Sequence, residues 1–539
     1  MKILGVNAVF HDPAAALVID GEIVAAGEEE RWTRRKHGHA NVPFAAWELP
    51  ERAMRWCLDH AGITVDDLDV VAYGYDPSLA TPVNGKVHVQ EWEPLRTLYA
   101  ERAPLFLRTA LPGLDPGKVR FVAHHVAHAA SAALCAPYDS CAVMTLDGRG
   151  EATSYLAGAM RGRRLEVLAE QPLPHSLGLL YEELTRHLGF QHSNDEYKVM
   201  AMAAFGAPRF DLSGLVRARR DGGFEVGRIE WERYAPPGDA EPAHFAQEHF
   251  DLACSVQRRL EEVLLELVGW LHEQTGERHL ALAGGVALNC VANARIAAEG
   301  PFESVWVQPA AGDSGTALGA ALHVAAEEGD PVRPMETAAL GRGWSDEELR
   351  GWLDSAGVAY EEPSDLAGAV ADILAEGSVV GWFQGRSEYG PRALCRRSLL
   401  ADPRQGSMQE TLNAIKGRES FRPVAPVVPE ERAGEIFEGR LPSPYMLFTH
   451  RVKPEWRERI RGVVHADGTA RIQTLRRDDE PRAAAVLERF GERTGVPVLV
   501  NTSFNTAGRP IVDDPRDALE VLGSAPLAAL AIGRCLVRK

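Results

Sequence analysis

The chain opens with "KILGVNA", then "AALVIDGEIVAAG", two apolar stretches that predict strands. The Asp-Gly step inside the second folds it into a hairpin. "DVVAYGY" (69–75) and "VRFVAHH" (119–125) predict buried strands, the latter running into an Ala-rich helix. "CAVMTLDGRGEATSYLAGAM" (141–160) repeats the opening order of apolar strand, acidic-Gly turn and apolar strand. Helical periodicity follows at 178–188 and 252–274. "HLALAGGVALNCVANARIAA" (279–298) reads as strand, double glycine and helix. "SVWVQPAAGDSGTALGAALHVAA" (304–326) reads as strand, polar-Gly turn and small-residue helix. Two hairpin turns and two Gly-rich strand-to-helix turns predict a duplicated α/β unit with a nucleotide between its halves. Glycine lets backbone approach phosphate, and helix N-termini favour anions.

From about 340 the texture changes to a helix plus polar linker, "GRGWSDEELRGWLDSAGVAYEEPSD". A second block runs from "VVGWFQGRSEYGPRAL" (379–394) to "VPVLVNTSFNTAGRPIV" (496–512). Two domains are expected, 1–345 and 346–539. The loops at 77–118 and 207–245 carry no motif and are expected to shape an acceptor pocket.

Composition narrows the class. The 539 residues are 45% hydrophobic and 25% charged, as in a globular protein too long for one core. No apolar run reaches the length of a membrane span, so no membrane partner is expected. The N-terminus, interrupted by charges and a Pro, reads as strands and not as a signal peptide. Seven scattered cysteines without a C-x-x-C argue for a reducing cytoplasm and against a structural zinc. A net charge of −18 argues against nucleic-acid partners, which need a basic field. A homodimer is compatible with the sequence.

"HHVAHA" supplies the candidate chemistry. One helical turn separates His124 from His128, so both imidazoles share a face and can hold one metal ion. The competing reading is a helix start with hydrogen-bonded core histidines. His125 points elsewhere and reads as structural.

Ordered motifs decide between these readings: "HDPAAAL", "EEERWTRRKH", "HHVAHAASA", "LDGRGE", "EYKVMAMAAFG", "GGVALN", "GDSGTALGAAL", "QGRSEYGPRALCRRSLLADPR", "KGRESFRPVAPVV" and "NTSFNTAGRPIV". Together they resemble the NodU/CmcH-type O-carbamoyltransferases of nodulation-factor and antibiotic biosynthesis, over nearly the whole chain. The resemblance implies an N-terminal actin-like domain of the duplicated ASKHA type, similar to tRNA threonylcarbamoyl transferases, and a C-terminal YrdC-like α/β domain. It implies carbamoyl phosphate as donor, ATP with Mg2+, a carbamoyl-adenylate intermediate and a hydroxylated small-molecule acceptor, sugar-bearing or polyketide-type.

The resemblance also implies roles. His124, His128, Asp147 and Asp313 would hold a divalent metal, Fe2+ by family analogy, that polarises the carbamoyl carbonyl. Asp313 also suits a helix N-cap. His11 would be the general base, Lys36 would face the acyl phosphate, and Asp147 would sit beside the reacting group. Gly284, Gly285 and Asn289 would lie against the nucleotide; the alternative is a tight turn with Asn289 as a cap. Glu196 and Lys198 belong to the same cavity without an assigned role.

In the C-terminal block the YrdC-type signature appears as Lys416-Gly-Arg418 and Ser503-Phe-Asn505, with Arg422 nearby. K-x-R on an extended segment would put both cations on one side, toward carbamoyl phosphate and the adenylate. Arg386 and Arg392 are further phosphate candidates. Cys395 stands where the family often has Gly, a change expected to cost little at a packed helix start. Two other functions share these parts: tRNA threonylcarbamoyladenosine synthesis, disfavoured by the acidic balance, and a non-enzymatic actin-like nucleotide-binding protein, which would leave the histidine pair unexplained.

Overall fold

A computed structural model describes residues 1–38, 48–80, 93–239 and 245–539. The chain divides into two compact units, Met1–Glu336 and Thr337–Lys539, ahead of the expected position 345.

The first unit is built twice from one plan. Strands β1 (Lys2–Asn7), β2 (Ala14–Ile19) and β3 (Glu22–Glu28) form an antiparallel meander. The turn Asp20-Gly21 has positive φ at both residues, as a tight hairpin requires. The opening thus holds three strands. Helices α1 (Glu30–Thr33) and α2 (Glu51–Ala61) follow, then β4 (Val70–Tyr73), α3 (Glu93–Ala110), β5 (Val119–Phe121) and α4 (His124–Ala133). The second half starts with β6 (Ser140–Leu146), β7 (Thr153–Arg161) and β8 (Arg164–Pro172), again antiparallel. Helices α5 (Leu177–His187) and α6 (Glu196–Ala203) precede a small hairpin, β9 (Val216–Ala218) and β10 (Phe224–Val226). Then come α7 (Gln247–Thr275), β11 (His279–Ala283), α8 (Cys290–Glu299), β12 (Ser304–Val307) and α9 (Ser314–Glu327).

The sheet orders are β3-β2-β1-β4-β5 and β8-β7-β6-β11-β12. In each, the first strand pairs antiparallel with its meander neighbour and parallel with the crossover strand. This repeated order is the duplicated actin-like plan. Small residues make the two halves fit. A Cβ on Gly5 of β1 would lie 1.8 Å from the Ala317 carbonyl oxygen of α9, and one on Gly319 would lie 1.8 Å from that of Ala127 in α4. Helix α9 can therefore pack on both only where side chains are missing.

Two expectations change. The segment 77–118 is no loop: α3 occupies 93–110 despite Pro104, while 81–92 lie outside the described residues. Likewise 207–245 contains the β9–β10 hairpin, with 240–244 outside them. No helix among the described residues is long and apolar enough to cross a membrane.

The second unit is also α/β, as expected of its block. Seven strands form a mixed sheet whose centre, 380–383, 397–401 and 499–503, is buried except at Ser503. Helices Leu366–Ala375 and Pro481–Thr494 pack against each other and close one apolar layer around Trp382 and Phe490.

Candidate functional site

The four candidate metal ligands, the glycine pair and the His11-Asp12 turn are placed just beyond the carboxyl ends of strands, where open α/β sheets place ligands. His124 follows β5, Asp147 follows β6, Gly284 and Gly285 follow β11, and Asp313 lies between β12 and α9. His11 and Asp12 lie in the turn after β1. The topology converts five separated motifs into one end of the fold.

His124 is the first residue of α4, and its backbone N–H donates to Glu151 Oε1 at 2.8 Å. Glu151, the last residue of "LDGRGE", thus satisfies an exposed donor of the helix start and fixes where the histidine face begins. His124 Nδ1 bonds the Gly74 carbonyl at 3.2 Å, which turns Nε2 toward the carboxylates. Nε2 lies 3.3 Å from Asp147 Oδ2 and 3.6 Å from Asp313 Oδ1. His128 Nε2 lies 3.6 Å from each of the same two oxygens.

The cluster fits a metal by three criteria. Both ring nitrogens of His128 are buried and make no hydrogen bond among the described residues. Asp313 occupies the N-cap position of α9, yet its side chain makes no cap bond and faces the imidazoles. Donors placed tetrahedrally around a small divalent cation sit about 3.3–3.6 Å apart, given metal–ligand bonds of about 2.0–2.2 Å. Burial opposes charge on His124, but Asp147 and Asp313 override it and hold its pKa well above the usual histidine range. Burial likewise raises Asp147, and the two imidazoles more than reverse this. The site is poised for positive charge, for which a proton and a metal compete. His125 differs: burial and the neighbouring imidazoles push its pKa down, and Nδ1 pairs with Thr153 Oγ1 at 2.9 Å.

The glycine pair serves the cluster. Gly285 N–H donates to Asp147 Oδ1 at 3.1 Å, leaving Oδ2 for the imidazoles. Gly284, at φ +89°, lies so close to β6 that a Cβ would meet the Leu146 carbonyl oxygen at 2.1 Å. Asn289 caps α8 by accepting from the Ala292 N–H, and its amide pairs with Gln257. That matches the capping alternative.

His11 has a partner the sequence did not reveal. Its Nδ1 lies 2.9 Å from Asp12 Oδ2, and His37 Nδ1 lies 2.8 Å from Asp12 Oδ1. Burial works against charge on His11, but Asp12 overrides it and pushes the pKa up to about 10. These surroundings favour a protonated His11. Lys36 Nζ lies over the Tyr197 ring, 5.4 Å from its centroid. Lys198 pairs with Asp195 at 3.1 Å. Burial, with Glu182 adding, raises the pKa of Glu196 to about 7.

In the second unit the structure joins Lys416, Ser503 and Asn505. Lys416 Nζ donates to Ser503 Oγ at 2.9 Å and also to the Ser503 carbonyl and Asn505 Oδ1. The K-x-R segment is not extended. Lys416 ends helix Met408–Ile415, and Gly417 has φ +52°. Arg418 turns back so that Nε bonds Asn413 Oδ1. Arg422 lies 3.6 Å from Glu419. Arg386 donates to the Leu340 and Gly341 carbonyls and so ties down that segment. Cys395 is no helix start: it has φ +66° and is buried, which explains why Gly suits the position.

Known proteins match along both units. The family described as Carbamoyltransferase N-terminus matches residues 2–322, and Carbamoyltransferase C-terminus matches 371–539. An uncharacterized protein of Synechocystis, sll1178, is 38% identical over 96% of this chain and 93% of its own length. Nodulation protein NolNO of Sinorhizobium fredii is 38% identical over 99% of this chain and 80% of its own. Among solved structures, HypF of T. kodakarensis aligns at TM-score 0.39 and 15% identity, covering 61% of this chain and 48% of that one, a likeness too slight to bear on function. With both family halves matched in order and full-length relatives at this identity, the chain belongs to the carbamoyltransferase family and is a carbamoyltransferase enzyme.

Proposed function

We propose that the enzyme is an ATP-dependent O-carbamoyltransferase for a hydroxylated small molecule, sugar-bearing or polyketide-type. The observation that carries the reading is the convergence of His124, His128, Asp147 and Asp313, with His128 Nε2 making no hydrogen bond among the described residues, in a chain of this family. These four would hold a divalent ion, with Fe2+ a fitting choice for an N,O donor set. The metal would supply Lewis acidity at the carbamoyl carbonyl.

The chain's own residues divide the remaining work. Lys416, with Ser503 and Asn505 holding its ammonium, and Arg418 with Arg422 offset the charge of carbamoyl phosphate and ATP-Mg2+. Water cleaves carbamoyl phosphate to carbamate and phosphate; a carbamate oxygen then bonds the α-phosphorus of ATP and pyrophosphate leaves, giving carbamoyl-adenylate. His11, held cationic by Asp12, donates to the carbonyl or phosphate oxygen as charge develops. Lys36 adds positive charge on the same side. Asp147, fixed by Gly285, orients the imidazoles. Glycines 284 and 285 keep the β11 turn low beneath the nucleotide, with Asn289 bracing the helix start behind it.

The test needs no acceptor. Purified enzyme with carbamoyl phosphate, ATP and Mg2+ should release pyrophosphate and AMP. ADP as product, or no dependence on carbamoyl phosphate, would reject the adenylate route. A mass gain of one carbamoyl group across a panel of hydroxylated metabolites would identify the acceptor class.

A further inference from the structure

Asp12 is shared between two imidazoles. His11 Nδ1 and His37 Nδ1 each bond a different oxygen of its carboxylate, at 2.9 and 2.8 Å. The two rings stack, with centroids 4.5 Å apart and planes 27° from parallel. The chain accepts a left-handed backbone to achieve this: Asp12 has φ +48° and His37 φ +59°. Such strain in residues other than glycine clusters at functional sites. Asn7 Nδ2 pins the turn by donating to the carbonyls of His11 and Asp12, and Glu30 accepts the His37 backbone N–H at 2.7 Å. His37 Nε2, on the ring edge away from Asp12, is buried and has no hydrogen-bond partner among the described residues.

The triad adjoins the metal cluster. Phe10 packs edge-on against His124 at 5.4 Å between centroids, and a Cβ on Gly312, next to Asp313, would lie 3.9 Å from Asp12 Oδ2. An imidazole whose Nδ1–H is held by a carboxylate and whose Nε2 is open has the arrangement of a general base.

We infer that His37 is the catalytic base: its Nε2 takes the proton of the attacking hydroxyl, while Asp12 fixes its tautomer and orientation. The inference rests on the carbamoyl-adenylate reading above. In the step, the acceptor O–H bond breaks and its proton passes to His37. The oxygen bonds the carbamoyl carbon, and AMP departs with the electron pair of the cleaved C–O bond. Two stacked imidazolium ions would repel, which favours one donating ring beside one accepting ring. The groups facing His37 are Asp12, the His11 ring and Glu30, with Lys36 adjacent in sequence.

Water serves as the test acceptor, so no natural substrate is needed. Wild-type enzyme given carbamoyl phosphate and ATP should show a burst of pyrophosphate near one per chain, then steady hydrolysis. His37→Asn keeps a donor for Asp12 but no base. It should retain the burst and lose steady-state hydrolysis by at least tenfold, with an unchanged thermal midpoint. In His37→Ala, added imidazole should restore part of the lost rate without changing the burst. A steady-state rate of His37→Asn within threefold of wild type would overturn the inference, as would failure of imidazole to restore His37→Ala. So would two divalent ions per wild-type chain falling to one in His37→Ala, which would make the triad a second metal site. Absence of pyrophosphate from wild type would reject the adenylate route instead. His37 would then be judged by the same variants on phosphate release from carbamoyl phosphate.

Discussion

Gly285 N–H and Asp147 Oδ1 meet at 3.1 Å, so the turn after β11 holds the carboxylate that faces both imidazoles. A Cβ on Gly285 would stand 2.9 Å from that oxygen, closer than real Cβ contacts come. Gly285→Ala should therefore rotate Asp147 away from His124 and His128. Outer-shell partners of this kind typically contribute about 10–100-fold in metal affinity. The expected outcome is a loss of that order in metal-binding titration, with the fold retained by circular dichroism. Unchanged affinity would show that Asp147 is not a ligand.

His128 is a stronger probe, because both its ring nitrogens are buried without a hydrogen bond among the described residues. His128→Ala removes a donor outright, so metal content after dialysis should fall by more than the ~100-fold upper end for outer-shell losses. Carbamoyl transfer should fall with it. Pyrophosphate release should persist, since Lys416 and Arg418 belong to a separate cluster. Full metal occupancy in this variant would reject the site.

The shared face of His124 and His128 was legible because a helix puts residues four apart on one side, and that rule needs no tertiary information. The duplicated plan was legible for a similar reason: hairpin turns and strand-to-helix turns carry local signatures. What escaped depended on contacts between distant segments. His37 sits in a run of charges, and nothing local says that a left-handed backbone turns it onto Asp12, 25 positions away. Glu151 reads as a turn residue until the start of α4 is seen to bond it. K-x-R was misread as extended because two-residue spacing suits a strand, while Gly417 lets the chain turn instead. Helix α3 was hidden by Pro104 and a weakly amphipathic pattern.

Lys416 and Arg418 should each serve both stability and pyrophosphate release. The Lys416 ammonium is buried and satisfies the Ser503 carbonyl, Ser503 Oγ and Asn505 Oδ1. Lys416→Ala takes this donor from the part-buried Ser503 carbonyl, at a cost of about 1–3 kcal/mol. For a unit of this size that is roughly 3–10 °C in thermal midpoint. Arg418 is only half-buried and bonds Asn413. Arg418→Ala takes a donor from the buried Asn413 Oδ1, so its midpoint should fall by a similar amount. Both variants should lose pyrophosphate release. Normal release in Arg418→Ala would remove it from the adenylate site.

Glu480 gives a pH dependence whose sign is fixed by burial. The side chain pairs with Arg396, but burial, with Glu388 adding, pushes its pKa up to about 8. In the unfolded chain the same group titrates near 4.5. The folded state therefore holds this proton more tightly than the unfolded state. By linkage, the stabilisation is complete below pH 4.5 and is lost as pH rises through that value toward about 8. Above that range the fold must keep a buried carboxylate charged. Glu480→Gln removes the titration while keeping the shape. Its thermal midpoint relative to wild type should therefore rise between pH 5 and pH 9, by an amount corresponding to roughly 1–4 kcal/mol. Groups elsewhere titrate equally in both proteins and cancel in the difference. A difference that stays constant with pH would mean that Arg396 keeps Glu480 ionised throughout, and that the ion pair outweighs desolvation.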